Sequence, residues 1–84
     1  MNPYTVSDEA NARIDEILDY THARWGKRQA GIYLDGLIAR FEAIAARGLP
    51  WRPIPAWLGV EGYYCRYERH FIYWRAMGAA RLAL

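Results

Sequence analysis

Between positions 64 and 75 the chain places Tyr64, Arg66, Arg69, His70, Tyr73 and Arg75. These residue types can cleave RNA. Guanidinium groups hold a phosphate and offset its developing charge, while a histidine, the side chain that changes charge near neutral pH, moves the proton of a 2′-hydroxyl. Spacing argues against that use here. Side chains alternate faces along an extended strand, so Phe71, Tyr73 and Arg75 lie opposite His70. The one lysine, Lys27, lies far from this stretch. The residues therefore read as a basic, aromatic binding surface with no catalytic residue, made by Tyr64, Arg66, Arg69, His70, Arg75 and, further on, Arg81.

Other chemistries find less support. His22, Cys65 and His70 do not fall at metal-ligand spacing, so no metal is expected. Cys65 has no motif that would activate its thiol and reads as a core residue on an alternating strand. There is no glycine-rich phosphate loop, so no cofactor is expected. No helix carries arginines along one face, which argues against direct DNA binding.

Charge is unevenly spread. Residues 1–46 hold five basic and seven acidic side chains; residues 47–84 hold six arginines (Arg47, Arg52, Arg66, Arg69, Arg75, Arg81) and two acids. The C-terminal half thus presents a positive field for an acidic partner or phosphate. Ten of the eleven basic residues are arginine, whose planar fork contacts such groups in two-pronged fashion.

With 84 residues, a single domain over 1–84 is expected, burying roughly 60–65% of the unfolded surface. A single cysteine rules out an internal disulfide. Four Trp, seven Tyr and two Phe supply much burial per residue and are also the types that anchor interfaces. No apolar run approaches the about 18 residues a membrane span needs, and Met1-Asn2-Pro3-Tyr4 does not resemble a signal peptide. The chain reads as a soluble, cytoplasmic protein with no membrane partner.

The elements that must position these residues follow from pattern. Pro3-Tyr4-Thr5-Val6 reads as a strand, and Ser7 as an N-cap with Asp8 and Glu9 in the first turn. Ala10, Ile14, Ile17, Leu18, Thr21 and Trp25 mark one face of a helix ended by Gly26. Ala30, Tyr33, Leu34, Leu37, Ile38, Phe41, Ile44 and Ala45 mark a second, ending at Arg47-Gly48. Gly31 and Gly36 would weaken that helix, and are expected to let the two helices pack closely. Residues 49–62, with three prolines within six residues, read as a loop without regular structure, its Trp51 and Trp57 folding back as a lid on the core. Residues 63–67 and 70–75 read as strands joined by a turn at Glu68-Arg69, with a last strand at 81–84. The order β-α-α-β-β-β predicts an α+β fold, a helical hairpin packed on a small antiparallel sheet.

These residues resemble the ParE toxins of the ParE/RelE toxin–antitoxin superfamily. The resemblance is carried by Tyr20-Thr21-His22-Ala23-Arg24-Trp25-Gly26, by Gln29-Ala30 with Tyr33 and Leu37, and by Gly62-Tyr63 and His70-Phe71-Ile72-Tyr73-Trp74-Arg75. It implies a RelE-like fold and neutralisation by a cognate ParD-like antitoxin, a DNA-binding protein whose disordered arm wraps the toxin. It further implies contact with operator DNA only through that antitoxin, and action on DNA gyrase. The alternative within the superfamily is a RelE-type ribosome-dependent mRNA endoribonuclease. Tyr20, Trp25, Tyr33, Leu37, Trp51 and Trp57 are the expected antitoxin-binding residues. Two departures stand out. The arginine usual after Gly-Tyr is Tyr64 here, with Arg66 on the same strand face able to substitute. The family also continues past the last strand into a tail linked to toxicity, whereas this sequence stops at Leu84, which leaves a truncated or inactive member as the alternative to an active toxin.

Overall fold

The computed structural model of the chain describes residues 4–76 and the backbone of 82–83. Its elements run β1 (Tyr4–Thr5), α1 (Asp8–Trp25), α2 (Lys27–Ala45), β2 (Arg52–Pro53), a 3-10 turn (Ala56–Leu58), β3 (Tyr63–Tyr67), β4 (His70–Ala76) and β5 (Leu82–Ala83). The sheet order is β1-β5-β4-β3-β2. Strands β2 to β5 pair antiparallel, and β1 adds parallel to β5. The expected α+β fold is thus present. Pro3, Arg81 and Leu84, placed in strands by the sequence, lie outside the described residues. No helix among the described residues is long and apolar enough to cross a membrane.

Local chemistry sets the helix ends. The Ser7 Oγ accepts from the Ala10 N–H at 3.1 Å, as an N-cap does. Gly26 has φ 95° and ψ 169°, a region left almost wholly to glycine. Its N–H donates to His22 O at 2.9 Å and its carbonyl accepts from Ala30 N–H at 3.2 Å. One residue thus closes α1 and opens α2. At the far end of α2 the left-handed residue is Arg47 (φ 58°), not Gly48. Arg47 N–H donates to Ile44 O at 3.1 Å and Gly48 N–H to Ala43 O at 2.8 Å, which is the Schellman pattern. The Arg47 guanidinium lies 3.4 Å from the Trp51 ring centre, a cation–π contact on this backbone turn.

Three expectations change. Residues 49–62 are not without regular structure: Arg52 and Pro53 pair with Tyr64 and Tyr63, and Ala56–Leu58 form a 3-10 turn. Proline lacks an N–H but is tolerated on an edge strand, and β2 is an edge. The two tryptophans of this segment also part company. Trp51 donates its indole N–H to Ile44 O at 3.0 Å and packs on the core, while Trp57 is 83% exposed. Finally, Gly36 serves the sheet and not the helix pair. A Cβ there would collide with the Tyr67 hydroxyl, while a Cβ at Gly31 would meet nothing.

The core is Leu37, Phe41 and Ile44 of α2 against Tyr67, Ile72 and Trp74 of β3 and β4. Helix α1 packs beside α2, with Thr21 of its predicted stripe buried and donating to Ile17 O at 2.7 Å, whereas Trp25, placed on the same stripe, is exposed. Tyr67 reaches across the layer boundary, its hydroxyl donating to Tyr33 O at 2.8 Å. Two stability outcomes follow, both read from urea melts. Leu37→Ala should destabilise by about 2–4 kcal/mol; an unmoved midpoint would remove Leu37 from the core. Gly36→Ala should destabilise by about 1–3 kcal/mol through overpacking, although alanine is the better helix former by about 1 kcal/mol. A stabilised Gly36→Ala variant would refute close seating.

Candidate functional site

The expected partner residues divide between two surfaces. The first is a groove of about 960 Å³ between the helix pair and the β3–β4 turn. Positions 13, 17, 20 and 24 repeat at three- and four-residue spacing, so α1 turns Arg13, Tyr20 and Arg24 toward it. Tyr20 is 66% and Trp25 64% exposed, and the Arg24 guanidinium sits 5.3 Å from the Trp25 ring centre. The far wall is Glu68, Arg69 and His70. Glu68 takes a left-handed φ of 55°, which lets a two-residue turn close without glycine. The Tyr33 hydroxyl joins the walls, 3.1 Å from His70 Nδ1.

The second surface is the sheet face away from the helices. Alternation along β4 buries Ile72 and Trp74 and leaves Phe71, Tyr73 and Arg75 outside. Cross-strand register then lines up Arg52, Tyr64 and Tyr73 in one row and Arg66 with Phe71 in the next. Phe71 is 53% and Tyr73 56% exposed, and their ring centres lie 6.3 Å apart. Arg66 Nε donates to Glu68 O at 2.9 Å. Among the described residues the one ion pair is Arg13–Glu16 on α1, so Arg52, Arg66 and Arg75 face solvent without a carboxylate. An exposed sheet face of three aromatics and three arginines departs from the polar outer face usual for such sheets.

The residues fall out as follows. Tyr64, Arg66 and Arg75 come together on the outer face. Arg69 and His70 instead join Tyr20, Trp25 and Tyr33 at the groove. Leu37, 4% exposed, and Trp51 are committed to packing. Trp57 is exposed on the β2–β3 connection, as are Leu58 and Val60, and Arg81 lies outside the described residues. His70 faces the helices while Arg75 faces away, as the alternation predicted, and Arg66 also lies on the outer face, so the histidine and these arginines cannot share one phosphate. Sequence reading did not place Arg52, Phe71 and Tyr73 in the surface, although period-two spacing from Tyr64 and Arg75 would have found them. It also missed Ile32, 54% exposed in the groove; only the hairpin geometry reveals it.

Titration follows burial. Desolvation raises the Cys65 thiol above its ordinary value, with the Arg40 guanidinium opposing, which keeps it a poor nucleophile. No group of three His, Cys, Asp or Glu side chains gathers among the described residues. Desolvation likewise raises the Tyr33 and Tyr67 hydroxyls. Their protonated forms are the ones the fold favours. Stability is therefore fully present below the ordinary tyrosine range near pH 10, and is lost as pH rises through the raised values. Melting followed by circular dichroism should stay level to about pH 9.5 and fall beyond about pH 10. Tyr67→Phe, which removes one of these groups, should make that fall shallower; an unchanged fall would contradict the burial argument.

The family model described as the ParE toxin of the type II toxin–antitoxin system parDE matches residues 4–80, taking in both helices and strands β1 to β4. Toxin ParE1 of Caulobacter vibrioides is 44% identical over 45 residues, covering 54% of this chain and 47% of the relative. The chain thus spans about half the length of the curated relative it matches. A hairpin of amphipathic helices seated on a short arginine-bearing sheet, matched by that family model over most of its length, belongs to the ParE toxin family of type II toxin–antitoxin systems.

Proposed function

We propose that this toxin acts by occupying other macromolecules and not by cutting bonds. A ParD-like antitoxin lays its arm into the groove of Tyr20, Trp25 and Tyr33 and along the surface formed with Arg69 and His70. The target, DNA gyrase, meets the outer face of Tyr64, Arg66, Phe71, Tyr73 and Arg75. Operator DNA is reached through the antitoxin, and the setting is the cytoplasm. The observation that carries this reading is the separation of His70 from Arg66 and Arg75 across the sheet. A ribonuclease of the RelE type needs phosphate holders and a proton carrier on one face; an interface needs desolvated aromatics and arginines, the types that dominate binding energy. The arginines left without carboxylates favour an acidic partner.

Expression without an antitoxin tests the reading first, and growth arrest is expected. With purified chain, supercoiling by gyrase should be inhibited while message on translating ribosomes stays intact. Cut message with normal supercoiling would overturn the proposal. Arg66→Ala and Arg75→Ala should each weaken inhibition about tenfold at unchanged melting temperature; full potency in both would remove the outer face from the target interface.

A further inference from the structure

The outer sheet face carries Tyr64 and Arg66 on β3, Phe71, Tyr73 and Arg75 on β4, and Arg52 on β2. Rings and guanidiniums alternate across it. The Tyr64 and Phe71 ring centres lie 6.2 Å apart and those of Phe71 and Tyr73 6.3 Å. At those distances the rings do not cover one another, and Phe71 and Tyr73 each stay more than half exposed. Arg52 stands at the end of the Tyr64–Tyr73 row, Arg66 beside Phe71, and Arg75 two residues beyond Tyr73. With about 3.4 Å per residue along a strand and about 4.8 Å between strands, the patch measures about 14 by 10 Å. Arg66 is already set in place, because its Nε donates to Glu68 O at 2.9 Å. Its outer N–H groups remain for a ligand. None of these three guanidiniums meets a carboxylate among the described residues.

We infer that this face binds an unpaired strand of nucleic acid, with successive bases on Phe71 and Tyr73 and phosphates on Arg66, Arg75 and Arg52. The inference deepens the reading of this face as the target surface. It rests on that reading for the source of the strand, which is the DNA on which gyrase acts. The class of ligand follows from what the face offers. Its occupant must present flat apolar faces and negative charge at each step. An unpaired strand does both, since every base has a π face and every link a phosphate. An acidic peptide brings the charge without the flat faces. A duplex brings phosphates, but its bases stay stacked inside, out of reach of rings that lie on a sheet. The contacts go to bases and phosphates and not to the sugar. A 2′-hydroxyl, the group that distinguishes RNA from DNA, is therefore not read, and the two kinds of strand bind alike.

The test titrates the full chain into a labelled oligothymidylate of about ten nucleotides, followed by fluorescence polarisation. Oligouridylate should bind equally well. A duplex of the same length, and a strand of abasic sites with the same phosphates, should each bind at least about tenfold more weakly. Phe71→Ala and Tyr73→Ala should each weaken binding about tenfold. The logarithm of the binding constant should fall against the logarithm of salt with a slope of about −2, from three phosphates at about 0.7 each. Arg75→Ala should reduce that slope by about 0.7. Lys27→Ala, which removes a charge on the helix layer, should leave it unchanged. If an alanine variant does not fold, the parent decides through its ring-proton resonances. Those of Phe71 and Tyr73 should move upfield with oligothymidylate and stay in place with the abasic strand. Equal binding of the duplex or the abasic strand, a preference for the RNA strand of about tenfold, an equal loss of slope in Lys27→Ala, or unmoved ring resonances would each overturn the proposal. Inhibited supercoiling without strand binding removes the strand site and leaves gyrase as the target; strand binding at Phe71 and Tyr73 with supercoiling untouched keeps the strand site and removes gyrase.

Discussion

The fold depends on how α2 is seated on the sheet, and the seat is the Tyr67 ring over Gly36. The hydroxyl fits where any Cβ at position 36 would stand, and donates to the Tyr33 carbonyl at 2.8 Å. That bond contributes about 1 kcal/mol by itself. Its larger effect is geometric. It brings the ring of Tyr33 to 5.0 Å from that of Tyr67 and puts the Tyr33 hydroxyl beside His70. The groove's far wall, which is the β3–β4 turn, is thereby held at a fixed distance from α1 and α2. A side chain of any size at position 36 would push the sheet away and open the groove.

The division of labour between the two surfaces follows from the same seating. Once α2 covers one face of the sheet, every second residue of β3 and β4 is claimed: Tyr63, Cys65 and Tyr67 on one strand, and His70, Ile72 and Trp74 on the other. The remainder can be chosen for recognition, and here they are tyrosine, phenylalanine and arginine. A core this thin also uses its aromatics for packing. Trp51, Tyr63 and Trp74 form one cluster, with Trp51 T-shaped against Trp74 and Tyr63 stacked on it at 6.2 Å. Gly62, at φ 140°, lets the chain pass the Trp74 carbonyl where a Cβ would collide, so the Gly-Tyr pair is a packing requirement of β3 and not only a family mark.

What could be read from the sequence was local. Ser7 and Gly26 marked both ends of α1, and the stripe Leu37–Phe41–Ile44 marked the face that is buried, because caps and periodicity are properties of neighbouring residues. The alternation of β4 likewise separated His70 from Arg75 in advance. What escaped depends on which element meets which. Gly36 was assigned to the helix pair because nothing in its own helix names Tyr67 as the neighbour. Trp51 and Trp57 look alike in composition, yet one bonds the end of α2 and the other faces water. The pairing of Arg52–Pro53 depends on a sheet edge that no local rule supplies, and the left-handed turn at Arg47, with glycine next to it, depends on the end of α2 and the ring of Trp51. The residues expected to meet partners were read as two sets, and the fold divides them differently. Arg69 and His70 belong with the helices because the two-residue turn folds them there, whereas Tyr64, Arg66 and Arg75 stay on the far face.

The most direct measurement of the central claim is a double-mutant cycle between positions 36 and 67. Stability is measured by urea unfolding for the parent, Gly36→Ala, Tyr67→Phe and the double variant. Removing the hydroxyl removes the nearest atom that a Cβ at 36 would strike. The account predicts that Gly36→Ala costs at least about 1 kcal/mol less in the Tyr67→Phe background than in the parent. Equal costs in both backgrounds would contradict the claim that this contact sets the distance between helices and sheet.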